Sequence, residues 1–105
     1  MSAPVQLTKQ AVQDLKDIWW FIARQDHQAA DRVEMEIVST CSRIAKYPLI
    51  GHCRRDITPL PVRFWTLTKF PNYIIVYRPD SKPLQVVAIL HAKRNLEETL
   101  KQRLP

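Results

Sequence analysis

The sequence predicts an α+β fold in which an N-terminal helical hairpin packs on a small, mainly antiparallel sheet and a short helix closes the chain. Three stretches carry that prediction. At residues 72–95 (NYIIVYRPDSKPLQVVAILHAKRN), a run of aromatic and β-branched residues leads into a polar turn bracketed by Pro79 and Pro83, and a second apolar run follows over residues 84–90. Those features describe an antiparallel β-hairpin, with the prolines, Asp80 and Ser81 supplying the turn. Between residues 8 and 47 two helical periodicities follow one another with almost no linker. After Asn95 a third, shorter one begins.

In chain order, Val5, Gln6 and Leu7 alternate as a short edge strand would. Thr8 is placed to cap a helix, with Leu7 before it and Val12 inside it forming a hydrophobic staple. Val12, Leu15, Trp19 and Ile22 then recur at spacings of three and four, and Ala11 and Ile18 widen the stripe. Trp19, Trp20 and Phe21 cannot all face inward from one helix, so part of this cluster is expected at the surface or against a partner. Asp26 interrupts the pattern. A second helix is expected from about His27, with Ala30, Val33, Ile37, Cys41 and Ile44 on one face, stopping near Tyr47 because the ring of Pro48 disfavours helical geometry in the residue before it. Consecutive amphipathic helices form a hairpin whose apolar side needs a sheet to cover.

The following segment holds Pro48, Pro59, Pro61 and Gly51, the one glycine of the chain. A glycine used once is expected where the backbone needs positive φ or a close approach. Residues 62–68 alternate as a strand and turn through Lys69, Phe70, Pro71 and Asn72 into the hairpin. Asn95 can cap the last helix, with Glu98 completing a capping box and Leu96, Leu100 and Leu104 on one side. Glu97 and Glu98 at its start and Lys101 and Arg103 at its end complement the helix dipole.

The 105 residues are expected to make one domain. With 46% hydrophobic and 25% charged residues the composition is that of a globular chain and excludes wholesale disorder. No apolar run approaches a membrane span, and Met1, Ser2, Ala3 and Pro4 lack the pattern of a secretory signal, so a cytoplasmic, non-membrane protein is expected. Residues 1–50 hold six Lys or Arg and six Asp or Glu, whereas residues 51–105 hold ten against four. The whole net charge of +6 therefore sits in the second half, where it favours nucleic acid or an acidic protein partner, or simply a solvated face.

Candidate functional residues gather in that half. His91, Lys93 and Arg94 close the last strand, Arg78 closes the one before it, and Arg54 and Arg55 follow Gly51 and His52. His91 titrates near neutrality when unperturbed and is suited to general acid or base work, although a histidine at a strand end is more often a hydrogen-bonded structural group. Arg54 and Arg55 stand close enough to Asp56 to be surface charges, and Arg78 is placed to pair across the hairpin. His27, His52 and His91 fall on different elements without ligand spacing, and Cys41 and Cys53 are too few for a zinc motif and are expected as free thiols. No metal and no cofactor is expected.

The order of elements, together with PLIGHCRRD at residues 48–56, YIIVYR at 73–78, ILHAKRN at 89–95 and the positions Ile18, Trp19, Ile22 and Ala23, resembles the ParE/RelE superfamily of bacterial type II toxins over nearly the whole chain. The ending LHAKRN is similar to that of the ParE branch, which inhibits DNA gyrase. The resemblance implies a toxin acting by protein contact, without catalytic residues, neutralised by and assembled with a cognate antitoxin. Arg54, Arg55, Arg78, His91, Lys93 and Arg94 are then the candidates for contact with target or antitoxin. The alternative is a RelE-like ribosome-dependent mRNA endonuclease using His91, Arg94 and Arg78, with ribosome and mRNA as partners. That branch carries an arginine where this chain has Ile74 and a tyrosine where it has Leu100, groups needed to stabilise phosphate charge and move a proton. A nonenzymatic nucleic-acid-binding module would account for the charge but not for the order of motifs.

Overall fold

The computed structural model describes residues 4–104, and the leader expectation placed on Met1, Ser2 and Ala3 lies outside them. The chain runs β1 (Val5–Leu7), α1 (Lys9–Ala23), α2 (His27–Lys46), β2 (Arg63–Thr66), β3 (Tyr73–Arg78), β4 (Leu84–His91) and α3 (Leu96–Arg103). Its four strands form one sheet in the order β1-β4-β3-β2. The β2–β3 and β3–β4 pairs are antiparallel, and β1 lies parallel to the first half of β4. The α+β architecture is therefore as the sequence predicts, with β1 as an edge strand.

Each helix starts on a side-chain cap. Thr8 Oγ1 accepts from Ala11 N, Asp26 Oδ1 from Ala29 N and Asn95 Oδ1 from Glu98 N, satisfying amide groups that have no partner inside the helix. The hairpin of α1 and α2 covers one face of the sheet. Ala30, Val33, Ile37, Cys41 and Ile44 are buried there with Ile75, Tyr77, Leu84, Val86 and Ile89. Val12 does not join this core and is 37% exposed. Ala11 and Asp14 take the inward positions instead, because a helix lying with positions 11, 14, 15, 18 and 22 toward the sheet turns position 12 to the side.

The other face of the sheet is covered by α3. Leu96, Leu100 and Leu104 pack there on Phe64, Ile74, Val76, Ala88 and Leu90. One irregularity serves both faces. The register steps from Val76 opposite Ala88 to Tyr77 opposite Val86, which leaves Val87 as an extra residue in β4. Such a bulge reverses side-chain parity. Leu84 and Val86 before it and Ile89 after it can thus all face the helical hairpin, and His91 follows Ile89 onto that side.

Gly51 supplies a close approach and not a positive φ, since no glycine adopts positive φ among the described residues. A Cβ there would lie 2.6 Å from Tyr77 Oη. The phenol is fixed at that distance, accepting from Gly51 N at 2.9 Å and donating to Pro48 O at 2.7 Å. Residues 48–51 are thereby pinned to the core by one buried hydroxyl. The strand expected at residues 62–68 is shorter, Arg63–Thr66, with Val62 and Leu67 buried at its ends.

Candidate functional site

The end of β4 is built by a compact turn. Ala92 N donates to Asn72 O, Arg94 N to His91 O and Lys93 N to His91 Nδ1 at 3.1 Å. The ring of His91 meets Tyr73 edge-on at 5.5 Å across the strand pair. With Nδ1 accepting from a backbone amide, the neutral ring carries its proton on Nε2. His91, Lys93 and Arg94 are all exposed, and neither Lys93 nor Arg94 forms an ion pair among the described residues.

Beside this turn lies a cleft of about 320 Å³ between α1 and β4. Ile18, Phe21, Tyr73 and Ile89 give it an apolar lining, and His91 and Arg94 close one end. Along α1 it continues past Asp17 and Phe21 into a second hollow of about 290 Å³, bounded by Trp20 and Arg24. Trp20 and Phe21 are each 65% exposed, and the Arg24 guanidinium sits 5.3 Å above the Phe21 ring. Trp19 turns the other way and donates from Nε1 to Asp31 on α2. The aromatic cluster of α1 is thus divided between the hairpin and the surface, as its crowding requires.

A buried ion pair sits below the cleft. Arg103 of α3 donates through both terminal nitrogens to the Asp14 carboxylate at 2.5 and 2.6 Å, and Asp14 Oδ2 also accepts from Ile89 N at 2.9 Å. The pair clasps the edge of β4 where β1 ends. The Asp14 hydrogen bonds hold the Arg103 guanidinium above its ordinary value, so it stays charged. Sequence reasoning assigned Arg103 only to the helix dipole and gave Asp14 no role. The available signal was a carboxylate spaced three residues from Ala11 and four from Ile18, within an otherwise apolar stripe.

The other candidates are dispersed. Tyr73 pairs with His91 at one end of the β3–β4 hairpin and Arg78 with Gln85 at the other, so about 17 Å of strand separates Arg78 from the His91 turn. Arg78 Nε donates to Gln85 Oε1 at 3.0 Å, the cross-strand pairing foreseen for it. Arg54 forms a two-pronged, exposed pair with Asp56 at 2.8 and 3.1 Å, which raises the arginine and lowers the carboxyl from their ordinary values. Arg55 donates to Pro59 O. Ile74 and Leu100 are buried in the interior between sheet and α3. Among the described residues no group of three His, Cys, Asp or Glu could hold a metal. Among the same residues no helix is long and apolar enough to cross a membrane.

A helical hairpin on one face of a four-stranded mixed sheet, a C-terminal helix on the other and a basic turn after the last strand define the class of small α+β toxins that the sequence resembles. Residues 5–96 match the family model of the ParE toxin of the type II toxin-antitoxin system, parDE, and the chain belongs to that family. Among solved structures it is similar to a chain of the chromosomal ParDE TA system from P. aeruginosa, with a TM-score of 0.73 at 20% identity, over 88% of this chain and 98% of that one. At that identity the likeness is one of fold. Comparison with curated protein sequences finds no match.

Proposed function

We propose that this ParE-family toxin acts by protein contact on DNA gyrase and is held inactive by a cognate antitoxin that occupies the cleft along α1. The observation that carries the first part is the placement of Ile74 and Leu100. At the two positions where the ribonuclease branch would present an arginine and a tyrosine, this chain has aliphatic side chains packed in its interior, so neither position meets solvent or a scissile phosphate. His91, Arg94 and Arg78 cannot converge on one phosphate either, because Arg78 lies at the far end of the hairpin.

The antitoxin reading is supported by the shape and charge of the α1 cleft. An apolar trough flanked by exposed Trp20 and Phe21, with Asp17 on its wall and Arg24, His91 and Arg94 at its ends, suits a segment that folds on binding, with apolar anchors in the middle giving affinity and acidic groups at the arginine ends giving rate. Co-expression with the product of the neighbouring gene tests it. Capture of that product, lost on Phe21→Ser, is expected, whereas harmless expression of the chain alone without such capture would count against a toxin.

Supercoiling by gyrase and cleavage of mRNA on translating ribosomes, assayed on one preparation, separate the two branches. Supercoiling is expected to be inhibited, and Lys93→Ala with Arg94→Ala to weaken the inhibition. New codon-positioned cleavage, abolished by His91→Ala while supercoiling is untouched, would assign the chain to the endonuclease branch instead.

A further inference from the structure

The strongest concentration of unneutralised charge is not in the α1 cleft. Residues 37–79 contain seven Lys or Arg and one acid, Asp56, and Asp56 is engaged by Arg54. Several of these cations meet around β2, the edge strand of the sheet. Arg43 of α2 lies 5.8 Å from the Trp65 ring centroid. His52 stacks on the same ring at 6.2 Å with 22° between planes, and its backbone is bridged to Phe64 on the outer edge of β2. Arg63, on the same side of β2 as Trp65, donates to Gly51 O at 2.7 Å and Leu49 O at 3.2 Å. Lys46 stands one turn beyond Arg43 at the end of α2, and Tyr47 beside it is 60% exposed.

The way these cations are held is informative. Arg43 rests on a ring and Arg63 on backbone carbonyls, all neutral partners, and neither arginine nor Lys46 forms an ion pair among the described residues. Their positions are fixed while their charge remains available. The carbonyl end of α2 offsets only about half a charge. We propose that this face, Arg43, Lys46 and Arg63 set around Trp65 and His52, is a contact surface for the phosphate backbone of double-stranded DNA. Duplex is favoured over single strands because Trp65 is engaged by Arg43 and His52, and the exposed Tyr47 beside them is a single ring where a row of stacked bases needs several. It is favoured over an acidic protein because what the face offers is chiefly charge, from Arg43 and Lys46 on α2 and Arg63 on β2, with the exposed Tyr47 and Leu49 beside it, and a row of phosphates is held by charge without a large apolar anchor. The inference stands whether or not gyrase is the target.

Fluorescence anisotropy of the full chain with a labelled duplex of about 20 base pairs tests it. Three phosphate contacts predict a log–log salt slope near −3, hence roughly 50-fold weaker binding at about 200 mM than at about 50 mM salt. Arg43→Gln with Lys46→Gln should reduce that slope by about 2, whereas Lys9→Gln with Lys16→Gln, the same charge change on the exposed side of α1, should leave it unaltered. Lys46→Gln alone, at an exposed position, should reduce the slope by about 1 and guards against misfolding of the double variant. Equal weakening by the two double variants would reduce the effect to net charge and overturn the proposal. So would no binding at low salt, or polyglutamate binding as tightly as duplex with the same sensitivity to Arg43 and Lys46.

Discussion

The two faces of the sheet are covered by very unequal lengths of chain. Helices of 15 and 20 residues lie over one face, and a helix of 8 residues, with Ile57, Leu60 and Val62 of the loop before β2 beside it, lies over the other. On the hairpin face the core is wide and side chains lock one another by packing. On the α3 face three leucines provide the apolar contact of the helix, so its position depends on individual polar groups: the Asn95 cap and the Arg103 to Asp14 clasp. A short cover is held by geometry at its two ends, a long one by area.

The sharpest way to break that comparison is Arg103→Met. It leaves the Asp14 carboxylate buried with only Ile89 N as a partner, and a stranded buried charge costs about 3–5 kcal/mol. Urea unfolding is expected to show a loss of that order. The double variant Asp14→Leu with Arg103→Met should be less damaged than Arg103→Met alone, since no charge is then stranded. A loss no larger than that of an exposed pair would show that α3 is held by its leucines.

Next in size is a variant on the hairpin face. Gly51→Ala drives a methyl group against Tyr77 Oη and to 3.0 Å from Phe64 O, a backbone atom that cannot swing aside, at an expected cost of about 1–3 kcal/mol. Tyr77→Phe in the same chain should recover part of that loss by removing the hydroxyl, which thermal melts of the two single variants and the double would reveal. Additive losses would mean that the strain lies against Phe64 alone.

Alkaline pH also distinguishes the faces. Burial pushes the Cys41 thiol up from 9.0 to about 12 and raises the Tyr77 phenol above 10.0, and both groups belong to the hairpin-face core. Folded values above the unfolded ones mean that stability is complete below about pH 9 and is lost as pH rises toward the folded values. Between about pH 9 and 10.5 the Cys41 contribution amounts to about 2 kcal/mol. Cys41→Ala should flatten most of that decline in urea midpoints. The Arg103 guanidinium remains charged across this range, so the α3 clasp should contribute none of it.

The smallest effects belong to the ends of α3. Asn95→Ala removes the acceptor for Glu98 N at about 1 kcal/mol. Lys101→Ala breaks an exposed pair with Glu97 at 3.5 Å and should cost only a few tenths of a kcal/mol. Equal melting shifts for these two variants would remove the distinction between a cap and a surface charge on this helix.

Most of the local architecture was legible in the residues. Thr8 and Asn95 announced helix starts, Asp26 announced a break between helices, Pro48 announced a stop, and the run from Tyr73 to Arg78 announced a strand, because caps, prolines and β-branched runs act on their own neighbours. The stripe of α2 was read without error, while that of α1 was misread at Val12, because a wide apolar surface leaves the direction of the core undetermined by about one residue. The basic turn at His91, Lys93 and Arg94 was also legible as a place, though not the apolar cleft beside it. That cleft needs Ile18 and Phe21 of one element to meet Tyr73 and Ile89 of two others.

By itself, then, the sequence determined the order of elements, the helix ends and the uneven division of charge, all consequences of spacing and composition along the chain, and its motifs carried the resemblance to the family. Only the tertiary structure decided that Arg78 and Arg94 stand at opposite ends of a hairpin, that Gly51 makes room for a hydroxyl from β3, and that Asp14 and Arg103 close on one strand edge. Such pairings join positions far apart in sequence, and the register that brings them together is set by a bulge at Val87. Local pattern carries no information about which distant residue will fill a given space, because that is settled when the whole core packs.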